Sequence, residues 1–423
     1  MSLSDRDSKH LWHPLTQHKL AGPAFPITRA SGVYLWDEAG NSYIDAISSW
    51  YISMYGHCNP MITSAVAEQM LRMDQIVFSG FTHEPAIAMS EKLMALLPEN
   101  QQKVFFSDNG STSIEVAVKM ALQYHFNRAE KRDLLLAFEN GFHGDTFGAM
   151  SVSGLDVYNG PFSDFSMEVK RITPPNGSNN EQVLKDLKKY LATGGVAAFV
   201  FEPLVQGAAA MQLNDAAGLS SMIAACHAAG TLCIADEVMT GFGKTGTHFA
   251  SEQLSELPDI ICLSKALTAG LLPMGLTTCT QAVYDAFYSD QLADGFFHGH
   301  TYSANPLACA AAIAAMDLLV SEEIQQNIQK IIDSHREFDA EIKTHDAVAS
   351  TRQCGVIYAI DLKKDIPRYG KERDAILQFF MDRGVYLRPL GNTIYIVPPF
   401  VTQQEELQKI YEVLREALVA FGA

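Results

Sequence analysis

Between about residues 100 and 280, short apolar runs rich in Val, Ile and Phe alternate with amphipathic stretches. This is the pattern of helices laid over both faces of a largely parallel sheet. The runs Lys103–Ser107, Leu134–Phe138, Val196–Phe201, Thr231–Ala235 and Ile260–Leu263 have strand length and end in polar or glycine-containing residues. From about Leu307 the apolar spacing becomes helical over Ala308–Val320, Glu322–His345 and Glu405–Ala420, around short strands near Gly355–Leu362 and Thr393–Val397. Two further strand-like pieces, Gly32–Asp37 and Ser42–Ile47, lie near the start. The expected organisation is therefore α/β. A large domain over residues 51–306, with a mostly parallel sheet flanked by helices, is joined to a smaller α+β domain over 307–423. Residues 1–50 form a segment that contributes to the small domain and to a pocket.

A length of 423 residues allows two or three cores, and 48% apolar with 19% charged residues is the balance of a folded enzyme. Acidic residues outnumber basic ones by 48 to 31, and the net charge of −17 repels phosphodiester backbones and anionic membrane surfaces, so neither nucleic acid nor membrane is an expected partner. No apolar stretch follows Ser4 to His10, and the apolar window Val196–Met211 is interrupted by Glu202, Pro203 and Gln206. Neither a secretory leader nor a membrane span is expected. The seven cysteines show no paired spacing, which fits reduced thiols and a cytoplasmic location.

The segments Thr231-Leu-Cys-Ile-Ala-Asp-Glu237 and Asp259-Ile-Ile-Cys-Leu-Ser-Lys265 each set a charge where an apolar strand meets its loop. Such a charge needs a partner or a chemical use, and a structural ion pair explains these two segments as well as catalysis does. A third feature shifts the balance. After Lys103–Ser107 comes Asp108-Asn109-Gly110-Ser111-Thr112-Ser113-Ile114-Glu115, opening a helix to about Phe126, with Thr112 and Glu115 at capping-box spacing. Gly110 lets backbone approach a ligand, Ser111 offers a hydroxyl, and the helix N-terminus favours phosphate. A phosphate cradle, an acid and a lysine on one sheet meet the needs of pyridoxal phosphate: anchor, control of the ring nitrogen by Asp236, and covalent attachment at Lys265. Lys265 is then also placed to move the substrate proton. Phe142 is expected on one face of the ring and Val238 on the other. Gly241-Phe-Gly-Lys-Thr-Gly246 is no nucleotide loop, because the required first glycine would fall at Val238. His298 and His300 lack a matching carboxylate or cysteine set, so no metal site is expected.

Along essentially its whole length the sequence resembles the class III aminotransferases, which have the fold type I PLP-dependent transferase fold. The resemblance rests on Leu11-Trp-His-Pro-Leu-Thr16, Ile47-Ser-Ser-Trp-Tyr51, Gly141-Phe-His-Gly-Asp-Thr-Phe-Gly-Ala-Met150, Phe201-Glu-Pro-Leu-Val-Gln-Gly207, Ala235-Asp-Glu237, Ser264-Lys-Ala-Leu-Thr268, His298-Gly-His-Thr301, Asn305-Pro-Leu-Ala-Cys309 and Leu387-Arg-Pro389. Within the class the WHP and SSW segments are most similar to the biotin-synthesis branch, which aminates 8-amino-7-oxononanoate with S-adenosylmethionine. The resemblance implies that Lys265 carries pyridoxal 5'-phosphate, Asp236 binds its ring nitrogen, and Gly110 and Ser111 hold its phosphate. It also implies a homodimer with active sites at the subunit interface, where Thr301 reaches the neighbouring subunit's phosphate, with His300 in the same loop. Gly299, Trp50, Tyr51 and Phe142 would line the substrate pocket, and Arg388 would pair with the far carboxylate of the keto acid.

The sequence departs from that branch at Leu15 and Phe142, where tyrosine is usual, at Tyr51, where a second tryptophan is usual, and at His300-Thr301-Tyr302, where Pro-Thr-Phe is usual. The donor therefore stays open between S-adenosylmethionine and lysine. Other readings are an ω-aminotransferase for ornithine, 4-aminobutyrate or a diamine, an aminomutase, and a catalytically silent binding protein of the same fold.

Overall fold

Every residue of Val196–Phe201 and of Ile260–Leu263 is buried, a burden only a sheet covered on both faces can carry. The computed structural model describes residues 1–155 and 160–422. Its strands are β1 (Ile27–Ser31), β2 (Tyr34–Asp37), β3 (Ser42–Asp45), β4 (Gln101–Ser107), β5 (Leu134–Phe138), β6 (Val169–Ile172), β7 (Val196–Phe201), β8 (Val205–Gln206), β9 (Gln212–Leu213), β10 (Leu232–Asp236), β11 (Ile260–Leu263), β12 (Gly275–Thr280), β13 (Val348–Cys354), β14 (Ile357–Leu362), β15 (Val385–Tyr386) and β16 (Thr393–Ile396). The large sheet has the order β4-β12-β11-β10-β7-β5-β6. All its pairings are parallel except those of β12, which runs antiparallel to both β11 and β4.

The five strands expected in this sheet are present, with β10 ending one residue later so that Asp236 is its last residue. Two of its strands are not legible from apolar patterning. β6 carries Lys170 and Arg171 at the sheet edge, where charge discourages pairing with another chain. β12 buries Thr277 and Thr278, whose hydroxyls donate to Ser113 O at 2.8 Å and Gln101 Oε1 at 2.7 Å. Hydrogen bonding, not apolar character, makes those positions interior. The three expected C-terminal helices run Pro306–Leu319, Glu322–Ile342 and Gln404–Phe421. Among the described residues no helix is long and apolar enough to cross a membrane.

The first fifty residues fold back onto the far end of the chain. β1, β2 and β3 form an antiparallel meander, and β15 adds to β3 in parallel, with Ile44 N donating to Gly384 O at 2.8 Å. Ala46 then bridges two C-terminal segments, its amide donating to Tyr386 O at 3.0 Å and its carbonyl accepting from Val397 N at 2.8 Å. The strand expected over Ser42–Ile47 stops at Asp45, because the chain enters a left-handed turn. Ser48, Ser49, Trp50 and Tyr51 have φ of 49°, 46°, 71° and 72°. For residues with a side chain this conformation costs roughly 1–2 kcal/mol each.

The helix Gly110–Asn127 starts where β4 ends. Its cap is Asn109, whose Oδ1 accepts from Thr112 N at 3.0 Å while Asn109 N donates to Thr112 Oγ1 at 3.2 Å. This corrects the expected Thr112–Glu115 capping box: Thr112 is already the third helical residue and receives the cap. Glu115 instead accepts from Gly148 N at 2.6 Å and Ala149 N at 3.2 Å. The Asn109 turn is pressed onto β12, since a Cβ on Gly275 would lie 2.1 Å from Asn109 O. Gly275→Ala is therefore expected to lower unfolding free energy by ~1–3 kcal/mol, the usual cost of overpacking. Equilibrium denaturation of the two proteins checks this, and equal midpoints would contradict the packing described.

Candidate active site

Neighbouring strands β7, β10 and β11 deliver Glu202, Asp236 and Lys265 to the same edge of the sheet, the carboxyl ends of its parallel strands, where crevices form in open α/β folds. Asp236 is buried and fully engaged. Its Oδ2 accepts from His143 Nδ1 at 2.7 Å and its Oδ1 from Val238 N at 3.0 Å. Glu202, 4% exposed, accepts from Phe142 N at 3.1 Å and Gly207 N at 2.9 Å. Burial pushes the Glu202 carboxyl up to about 7, with nearby Asp236 acting in the same direction and His143 against it. Phe142 and Val238 are thus each tied through an amide to one of the two acids.

Lys265 lies just beyond β11, in backbone of positive φ (50°). Burial holds its ammonium below the usual lysine range, and the fields of Asp236 and Glu202 only partly restore it. Among the described residues its Nζ has no hydrogen bond or ion pair, and it stands 5.2 Å from the centre of the Tyr51 ring. A lysine of lowered basicity with no structural partner is free to act as a nucleophile or base. The ion-pair alternative for Asp236 and Lys265 is not what the side chains do, since Asp236 pairs with His143.

Gly110 and Ser111 open an 18-residue helix, whose first-turn amides have no acceptor within the helix itself. Val238 is packed against this turn, because a Cβ on Gly110 would lie 2.8 Å from Val238 Cγ1. Ser111 Oγ accepts from Asp145 N at 3.2 Å. His300 is tied to the same turn by Nε2 at 3.1 Å from Asp108 Oδ2. Gly299 and Thr301 are exposed and are not drawn to Lys265 within this chain, although Thr301 O accepts from Gln75 Nε2 at 2.9 Å. His298 Nδ1 meets Lys119 Nζ at 3.0 Å.

On the other side of Lys265 the left-handed turn brings up Trp50 and Tyr51. Tyr51 is buried and its hydroxyl donates to Tyr395 Oη at 3.0 Å. Trp50 is 40% exposed and its ring lies 5.0 Å from Arg388 Cζ. Arg388 is half-buried and forms no ion pair among the described residues.

Three side chains that the structure brings into this cluster are not marked individually by the sequence reading: His143, Glu202 and Tyr395. Glu202 carries the same signal as Asp236, an acid directly after an apolar strand, and could have been found by it. His143 and Tyr395 carry no such mark, because their partners lie 93 and 344 positions away.

A family model described as class-III aminotransferase matches residues 16–418. The adenosylmethionine-8-amino-7-oxononanoate aminotransferase of Synechococcus elongatus is 42% identical over 419 residues, covering 97% of this chain and 98% of its own. Among solved structures, the enzyme of that name from Methanocaldococcus jannaschii superposes with a TM-score of 0.94 at 32% identity, covering 99% of this chain and 98% of its own. An amine transaminase from an uncultivated Pseudomonas species, in its PLP-bound form, gives 0.90 at 28% identity, covering 97% and 99%.

The raised Glu202 carboxyl has a consequence for stability. A carboxyl whose pKa is higher in the folded than in the unfolded chain contributes stability below its unfolded value, and that contribution is lost as pH rises through the folded value of about 7. Compared with Glu202→Gln, the unmodified protein without added cofactor should lose on the order of 3 kcal/mol between pH 4.5 and 7, at 1.36 kcal/mol per pKa unit. Thermal melts across that range measure it, and parallel curves for the two proteins would refute the assignment.

Proposed function

This chain belongs to the class III aminotransferases, and we propose that it makes 7,8-diaminononanoate for biotin synthesis, moving an amino group from S-adenosylmethionine to 8-amino-7-oxononanoate. The observation that carries the reading is a pair of cations without carboxylate partners among the described residues, Lys265 and Arg388, with Tyr51 and Trp50 between them. The first suits attachment of a cofactor aldehyde. The second, with its planar fork of donors, suits a substrate whose carboxylate is remote from the reacting amine.

Pyridoxal phosphate, the cofactor of this class, supplies an aldehyde that accepts the amine and a ring that absorbs the resulting carbanion charge. The residues present fit it, since the lysine is unpaired among the described residues, the acid is fixed by His143, and a helix start lies beside Val238. In this reading Gly110 and Ser111 hold the phosphate. Asp236 keeps the ring nitrogen protonated, its carboxylate held in place by His143 and the Val238 amide. Phe142 and Val238 flank the ring. Lys265 Nζ takes the proton from the amine-bearing carbon, a task that its lowered pKa favours by leaving more of the amine unprotonated.

A homodimer and a cytoplasmic location complete the proposal. Trp12, Leu71, Leu292 and Phe297 are exposed at 89%, 90%, 83% and 72%, and Gly299, His300 and Thr301 lie in the loop that follows Phe297, where a partner subunit could reach them. All seven cysteines are free thiols.

The test is the absorbance of cofactor-loaded protein as S-adenosylmethionine, lysine, glutamate and diaminononanoate are added separately. Conversion to the amine form by diaminononanoate and S-adenosylmethionine is expected; lysine in place of S-adenosylmethionine would move the chain to the other donor branch. Rapid conversion by glutamate with none by diaminononanoate would sink the pathway assignment. Arg388→Ala should raise KM for diaminononanoate roughly 10- to 100-fold, the worth of a charge-assisted hydrogen-bonded pair. An unchanged KM would remove Arg388 from the pocket.

A further inference from the structure

Residues with side chains visit the left-handed region singly, so four in succession need something to hold them. The run Ser48 to Tyr51 is such a case, with φ between 46° and 72° throughout. Ordinary backbone pairing secures its flanks, through Ala46 to Tyr386 and Val397, and Ser48 Oγ donates to Val397 O at 2.7 Å. The turn itself is closed by backbone hydrogen bonds from Tyr51 N to Ile47 O at 2.9 Å and from Ile52 N to Ser48 O at 2.9 Å, and a side chain adds to them. Asp45, 0% exposed, accepts from Ser49 Oγ at 2.7 Å and His57 Nε2 at 2.9 Å through Oδ2, and from Ile47 N at 3.3 Å through Oδ1. One buried carboxylate thus gathers the residue before the turn, a residue inside it and a residue beyond it.

We propose that Asp45 is a positioning residue: its carboxylate keeps residues 48–51 left-handed, and that hand sets Trp50 beside Arg388 and Tyr51 beside Lys265. Reversing the sign of φ would carry both side chains to the other side of the local backbone, away from the two cations they now adjoin at 5.0 and 5.2 Å. Both ends of the substrate pocket therefore depend in part on one group that touches neither substrate nor cofactor. The proposal rests on the reading of Trp50 and Arg388 as the carboxylate end of that pocket.

The experiment separates the turn from the reaction. Trp50 is one of three tryptophans, so in a Trp12→Phe, Trp36→Phe background its fluorescence reports the turn without any substrate. In the cofactor-loaded protein, Asp45→Asn should at least double the acrylamide quenching of Trp50 while the melting temperature and cofactor absorbance stay near those of the background protein. The same substitution in the otherwise unmodified enzyme should raise KM for diaminononanoate at least tenfold with kcat reduced less than threefold. Should Asp45→Asn not fold, Ser49→Ala, which removes only the hydroxyl tie, is read in the same way. Unchanged quenching would overturn the proposal, and so would altered quenching with an unchanged KM. If the unmodified enzyme does not act on diaminononanoate, the functional reading fails, and the quenching result by itself still decides whether Asp45 holds the turn.

Discussion

A carboxylate withdrawn from water must be given partners, and the pairing of Asp236 with His143 is the contact from which the rest of the site is arranged. Asp236 closes β10, which lies between β7 and β11, so a carboxylate there faces the loops of both neighbours. Because His143 takes one oxygen and the Val238 amide the other, Lys265 is not drawn into an ion pair with it. Glu202 is satisfied by two amides and burial pushes its carboxyl up to about 7, while Lys265 keeps a lowered basicity and, among the described residues, an uncommitted amine. Had Asp236 paired with Lys265 directly, the lysine would be more basic and structurally occupied.

The second half of the pocket is assembled by the two ends of the chain. β3 pairs with β15, and the segments around Ala46, Tyr386 and Val397 are stitched together by backbone hydrogen bonds. This places Trp50 and Arg388, far apart in sequence, side by side. The left-handed turn that presents Trp50 and Tyr51 is locally unfavourable, and contacts hundreds of residues away, such as Ser48 to Val397, offset part of that cost. Strain of this kind persists only where the surrounding structure over-determines it.

Most of the central sheet was legible because its strands are buried on both faces and so are written as unbroken apolar runs, as at Leu134–Phe138 and Val196–Phe201. β6 and β12 were not, since one holds charges at an edge and the other buries threonines that satisfy themselves by hydrogen bonding. The helix start at Gly110 was legible too, but its cap was assigned to the wrong pair. Asn109 and Thr112 have the same spacing as Thr112 and Glu115, and only the backbone decides which of them begins the helix.

The sequence by itself determined the chemistry on offer: an acid and a lysine after apolar strands, and a glycine and serine opening a helix. These follow from local rules, because a charge at the end of a buried run is visible without knowing the fold. Only the tertiary structure decided how those groups are used. It paired Asp236 with His143 instead of Lys265, left Lys265 and Arg388 without carboxylates among the described residues, and bent residues 48–51 to the left-handed side so that two adjacent aromatics meet two separate cations. Such choices depend on which long-range partner reaches a group first and at what desolvation cost, and that information is spread over the whole chain.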